Sequence, residues 1–213
     1  MQHAKPQQHT NTQRGFSLVE VLVSLSIFTI VVGMAVSTTI VLVDANAKAQ
    51  NVQQASTNLA FALDSMSREI RTGLLYFGTT GGNPSRNATN GATQDCNSVD
   101  CRAISFIEAG DSLTGSCRAG GRGRIGYRYQ QVLNGSEVED GYLERRLCAG
   151  SWERITAPEL IIDSFHFKVS NTDRTDARAP VVIMYAEAHV AGTGLTESEI
   201  IMQSSVTQQA IDI

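Results

Sequence analysis

The strongest constraint on this chain is a run of 23 residues, 21–43, that contains no Asp, Glu, Lys or Arg. A helix rises about 1.5 Å per residue, so the run is long enough to cross a bilayer core of about 30 Å. Its Val, Ile and Leu are interspersed with Ser and Thr, whose hydroxyls can bond back to carbonyls of their own helix. Before it, residues 1–14 are polar, with Lys5 and Arg14 as cations and no acid. That asymmetry predicts a cytoplasmic N-terminus and an exported remainder. A secretory signal peptide would end in a small-residue cleavage site after the apolar run. Here the run passes without a break into a second helical pattern, and no lipid-accepting Cys follows it. Removal after the span is therefore not expected.

One charge, Glu20, stands at the cytoplasmic start of this region. It can sit at headgroup level in a first helical turn, where the helix dipole favours an acid. If it is drawn into lipid instead, it needs a partner, because an unpaired carboxylate is costly there. The residues around it are Arg14-Gly15-Phe16-Ser17-Leu18-Val19-Glu20. They closely resemble the cleavage and methylation signal of type IV prepilins and type II secretion pseudopilins. The resemblance implies cleavage between Gly15 and Phe16 by a membrane-embedded aspartic prepilin peptidase, which also N-methylates Phe16. It further implies that Glu20 pairs with the N-terminal amine of a neighbouring subunit during assembly. Two charges held in lipid are tolerated when each neutralises the other. Many helices of the family carry a Pro in the second half of the membrane segment. This one has none, and Gly33 is its only helix-weakening residue.

No Pro or Gly occurs between Met34 and Arg71, so the helix is predicted to continue. Val52, Ala55, Leu59, Ala62, Leu63, Met66 and Ile70 recur at spacings of three and four, an amphipathic stripe. Arg68 and Arg71 suit a helix C-terminus, and Gly73 supplies the stop. Residues 78–93 read as a loop with no strand signal. Strands are predicted over 103–107, 125–131, 142–147, 160–169, 181–190 and 200–208. Within them Phe165, Phe167 and Val169 alternate with Ser164, His166 and Lys168, the pattern of one buried face. Asn134-Gly135 and Gly192-Thr193-Gly194 mark turns. The expected fold is α+β: a long N-terminal helix, half transmembrane and half amphipathic, packed against an antiparallel sheet in the pilin-like manner. The segments are a leader (1–15), a transmembrane and assembly helix (16–43), an amphipathic half (44–73) and a β-rich extracytoplasmic head (74–213).

The head also resembles J-type minor pseudopilins and related minor pilins. The matching stretches are 62–71, Ile125-Gly126-Tyr127-Arg128-Tyr129 followed by Leu143-Glu144-Arg145-Arg146, and the closing Gln203-Ser204-Ser205-Val206-Thr207.

Export predicts that Cys96, Cys101, Cys117 and Cys148 are disulfide-bonded, and four cysteines allow three pairings. Cys96–Cys101 with Cys117–Cys148 is the pairing by sequence proximity. The spacing is a poor match to a zinc ribbon, so no metal is expected. The stretch 121–126 fits G-x-G-x-x-G, but a strand-like Tyr127-Arg128-Tyr129 follows where dinucleotide binding needs a helix. The same stretch places Arg118, Arg122, Arg124 and Arg128 beside Tyr127 and Tyr129. Such a cluster could grip DNA phosphates and stack on bases, or form an ordinary solvated hairpin, the reading preferred here. A formal charge of −4 argues against nucleic acid as an overall partner. Asn87-Ala88-Thr89 and Asn134-Gly135-Ser136 match the glycosylation sequon, a pattern that polar loops produce by chance. His166 and His189 lie on predicted strands far from any nucleophile pattern, and Trp152 is expected as a core or interface anchor.

No constellation points to catalysis or to a cofactor. The expected function is a minor pilin or pseudopilin that helps start or cap a type IV pilus or type II secretion pseudopilus. Its partners would be the prepilin peptidase, other pilins through the N-terminal helix, the inner-membrane assembly platform and the membrane itself. The chain would pass from a single-pass membrane state into a filament in the periplasm or at the cell surface. The alternative is a tip pilin that captures DNA or a surface ligand.

Overall fold

The computed structural model describes residues 15–82, 84, 93–96, 99–108, 124–147, 150–173, 175, 178–191 and 199–209. A single helix, α1, runs over Leu18–Arg71. By its contacts the chain falls into two units, Met1–Lys48 and Ala49–Ile213. The second unit contains the rest of α1 and eight strands. These are β1 (Gly73–Thr79), β2 (Ala103–Glu108), β3 (Arg124–Asn134), β4 (Glu137–Leu147), β5 (Glu153–Arg154), β6 (Leu160–Ser170), β7 (Val181–Val190) and β8 (Ile200–Thr207).

The strands form two antiparallel sheets, one ordered β1-β2-β3-β4-β5 and the other β6-β7-β8, where a single sheet was expected. The far edge of β4 is taken by β5 through Glu144↔Arg154 and Arg145↔Glu153, and the Ile155 N–H continues that pairing to the Leu143 carbonyl. This pairing occupies the β4 edge from Leu143 to Arg145. The two sheets meet by close backbone approach: a Cβ on Gly141 would drive into the Ile162 carbonyl oxygen. Beside it the Tyr129 hydroxyl donates to the carbonyls of Ile162 and Asp163, at 2.9 and 2.8 Å.

All six predicted strands are present, together with the alternation along β6, where Phe165, Phe167 and Val169 are buried. Asn134 and Glu137 close the β3–β4 hairpin, with Gly135 taking the left-handed φ of +67° that its turn requires. Two strands were not anticipated. One is the short β5. The other is β1, which starts at the helix stop itself with no linker and reaches into the predicted loop. The Gly192-Thr193-Gly194 turn lies outside the described residues.

The amphipathic stripe is the helix side of one continuous core. Ala55, Leu59, Leu63, Met66 and Ile70 are buried with Phe106, Tyr127, Phe165, Phe167 and Met184 from the two sheets. Three aromatic rings from adjacent strands, Tyr76, Phe106 and Tyr127, pack in series at centroid distances of 5.8 and 6.2 Å. The hydroxyl of Tyr76 donates to the Ile70 carbonyl, one that the helix end leaves open, and to the Gly73 carbonyl at the start of β1. The Tyr127 hydroxyl donates to Glu69 at 2.6 Å. Arg145 from β4 completes this lock with two bonds to the same carboxylate, at 2.7 and 3.0 Å. Burial works against the Arg145 cation, but the hydrogen bonds and charge of Glu69 outweigh it and raise its pKa.

Cys96 and Cys101 are joined in a disulfide at the seam between the sheets. The Cys96 N–H donates to the Val169 carbonyl, and Cys101 exchanges backbone bonds with Phe167 on β6. Two residues earlier, Gln94 exchanges bonds with Tyr76 and Gly78 on β1. One short segment thus ties both sheets, and its crosslink is buried.

Two predictions follow from this packing. Gly141→Ala should destabilise the head by about 1–3 kcal/mol or more by overpacking the sheet junction, read as a lowered denaturant midpoint. Burial pushes Tyr129 up to about 12, and burial reinforced by Glu69 pushes Tyr127 higher still. Both phenols are held neutral in the fold, so their contribution is fully present below the ordinary tyrosine pKa of about 10 and is lost above it. Phenolate absorbance should therefore show a late-titrating fraction that appears together with alkaline unfolding. Complete titration in the native fold near pH 10 would contradict it.

Candidate functional site

The helix begins where the sequence motif places its first mature residues. Ser17 is the N-cap: its hydroxyl accepts from the Glu20 N–H at 3.2 Å, and its carbonyl accepts the first intrahelical bond from the Val21 N–H. Ser17-Leu18-Val19-Glu20 has the spacing of a capping box, with the acid at the third helical position and in the favourable field of the helix N-terminus. Glu20 is thus fixed in register by its own backbone, while no described residue ties down its carboxylate. Among the described residues a Cβ on Gly15 would meet nothing within 4 Å, and Phe16 is 81% exposed.

Beyond the cap, the large apolar side chains from Leu18 to Val43 are all exposed, around the whole circumference of the helix. α1 is long and apolar enough to cross a membrane, with a mean hydropathy of 2.3 over its most apolar window. Five hydroxyls in this region, Ser24 not among them, bond back to their own helix. Ser26 donates to the Leu22 carbonyl, Thr29 to Leu25, Ser37 to Gly33, Thr38 to Met34 and Thr39 to Ala35, at 2.5–3.0 Å. Their polar cost in lipid is therefore small. The helix passes through Gly33 without interruption.

The other predicted site residues are dispersed. Cys96 and Cys101 are bonded to each other, whereas Cys117 and Cys148 lie outside the described residues. Arg118 and Arg122 also lie outside them. Arg124 turns inward: it donates to the Ser105 hydroxyl at 2.8 Å and to the Leu75 carbonyl at 2.7 Å, and burial pulls its pKa down to about 10. Arg128 pairs with Glu144 and sits over the Trp152 ring, 4.3 Å from its centroid. Arg146 approaches the same ring at 4.5 Å. Trp152 is accordingly a half-buried platform for two guanidinium groups. His166 stacks on Tyr185, and His189 bonds Asp163 through Nδ1 at 2.8 Å. Among the described residues no group of three His, Cys, Asp or Glu could hold a metal ion. Two residues that matter were not singled out from sequence. Ser17 was readable from its S-x-x-E spacing, whereas Glu69, as the helix half of the Tyr127–Arg145 lock, had no local signal.

Replacing the N-cap tests this local account. Ser17→Ala should cost about 1 kcal/mol and raise amide exchange at Glu20 roughly five-fold, without affecting the head.

Comparison with known proteins bears on this segment alone. Residues 10–36 match the family model described as the prokaryotic N-terminal methylation motif. No curated protein and no solved structure matches the chain. The N-terminal segment is thus similar to the type IV prepilin signal, and the helix with its antiparallel sheets has a pilin-like α+β architecture.

Proposed function

We propose that the chain is a minor pilin or pseudopilin: a structural subunit, cut between Gly15 and Phe16, that helps start or cap a type IV pilus or type II secretion pseudopilus. The observation that carries this reading is the helix exposed on every side from Leu18 to Val43, with Glu20 as its one charge. Such a surface is stable only in lipid or against other apolar helices. Cleavage ahead of it would leave the anchor in the mature protein and create a new amine at Phe16. Glu20, held in register by Ser17, would then offer its carboxylate to the amine of a neighbouring subunit. The pair becomes neutral where either charge alone would be costly. The reading makes prepilin peptidase, sibling pilins and the inner-membrane assembly platform its partners, and envelope membrane followed by filament its location. The head's resemblance to J-type minor pseudopilins, and a chain longer than most major subunits, favour the minor role. DNA capture draws no support from Arg124 and Arg128, which both spend their guanidinium groups on the head itself.

The test is assembly of Glu20 variants coexpressed with prepilin peptidase, sibling pilins and the assembly machinery. Glu20→Ala should be processed and retained in the membrane but lost from sheared filaments, with Glu20→Asp partly restored. Wild-type incorporation of Glu20→Ala would overturn the assembly role.

A further inference from the structure

A strand at the edge of a sheet presents unpaired N–H and C=O groups, and proteins blunt such edges with bulges, charges, short length or a cover. Three of the four sheet edges described here are blunted. β1 is bulged between Leu74 and Phe77, with Leu75 at a φ of 56°, and its outer side bonds Gln94. β5 has only two residues, both charged. The outer edge of β6 is covered by Cys96 and Cys101.

β8 has none of these devices. Its sequence, Ile-Ile-Met-Gln-Ser-Ser-Val-Thr, contains no charge and no Pro, and its pairing with β7 runs from Ile200 to Thr207 without a bulge. The Gln208 N–H bonds the Pro180 carbonyl, which fixes the parity of the ladder. Residues 200, 202, 204 and 206 turn their backbone groups toward β7, so Ile201, Gln203 and Ser205 turn theirs away. The next odd-numbered residue, Gln209, spends its outward N–H on the Arg71 carbonyl, in agreement with that parity. Along this edge runs a groove of about 540 Å³ between β8 and the helix face Ala60, Leu63, Asp64, Ser67 and Arg71. Ile201 on its rim is 56% exposed.

We propose that this edge docks an extended segment of another polypeptide, which adds to β8 as a further strand. Backbone bonds to Ile201, Gln203 and Ser205 would hold it, as in strand addition generally. Its inward side chains must be small, to fit over Ala60 and Ser67. The groove carries opposite charges along its helix side, Asp64 and Arg71. The ion pair of Asp64 with Arg68 is exposed and weak, so Asp64 stays open to a competing cation. A second copy of β8 is uncharged and offers neither group a counterpart. The occupant is therefore a different chain, with a basic residue toward Asp64 and an acidic one toward Arg71. The surface involves only residues of the Ala49–Ile213 unit and is independent of the fate of the N-terminal helix.

The experiment uses the full chain in detergent. The probe is a capped octapeptide of alternating threonine and valine with lysine at one end and glutamate at the other, together with its reversed sequence. Binding of either should slow amide exchange at Ile201, Gln203 and Ser205 by about ten-fold or more, and leave Met202 and Ser204 unchanged. The same peptide N-methylated at alternate residues should give no protection. Gln203→Pro removes only an outward donor and should abolish binding, whereas Gln203→Ala should keep it. The N-methylated arm needs no altered protein, so a folding defect in Gln203→Pro cannot mask the outcome. No protection at millimolar peptide would overturn the proposal, as would equal binding of the N-methylated form. A concentration-dependent dimer abolished by Gln203→Pro would also overturn it, by assigning the edge to a second copy.

Discussion

The structure depends on one constraint: a single 54-residue helix must have its apolar surface covered in two different ways. Over its first part the apolar side chains point in every direction and are exposed among the described residues. Only lipid or other helices can satisfy such a surface. Over its later part the apolar residues narrow to a stripe, Ala55 to Ile70, which the two sheets bury. The change from all-round to striped hydrophobicity is the sequence-level statement that one helix serves two environments.

Within the head, polar contacts at the helix end convert general burial into a defined geometry. Hydrophobic burial alone would let a helix slide or rotate on a sheet. Glu69 held by Tyr127 and Arg145, and the Tyr76 hydroxyl on the Ile70 and Gly73 carbonyls, fix the last turn of α1 against one sheet. Ser67 meeting Ser204 at 3.2 Å touches the other. The Cys96–Cys101 segment closes the seam between the two. Such a crosslink persists in compartments that do not reduce it.

How much of this was legible in the sequence follows from the range of each interaction. Helix, stripe and strands announce themselves by local period, and the capping box at Ser17 by a four-residue spacing. The motif at Arg14–Glu20 was readable because its residues are contiguous in the chain, within the stretch 10–36 that matches the N-terminal methylation motif. The division into two sheets was not readable, because strand partners far apart in sequence are chosen in three dimensions and leave no local period. The same holds for Glu69, whose partners lie 58 and 76 residues away. β1 was missed because its glycines resemble a loop, although its other residues are buried ones such as Tyr76 and Phe77.

The account's central claim is that this helix survives processing as the mature N-terminus. The most direct measurement is the intact mass and N-terminal sequence of the chain coexpressed with an active prepilin peptidase, beside a Gly15 variant. The account predicts a mature chain that begins at N-methylated Phe16, with processing lost in the variant. An uncut chain, or one cut beyond Val43, would contradict it.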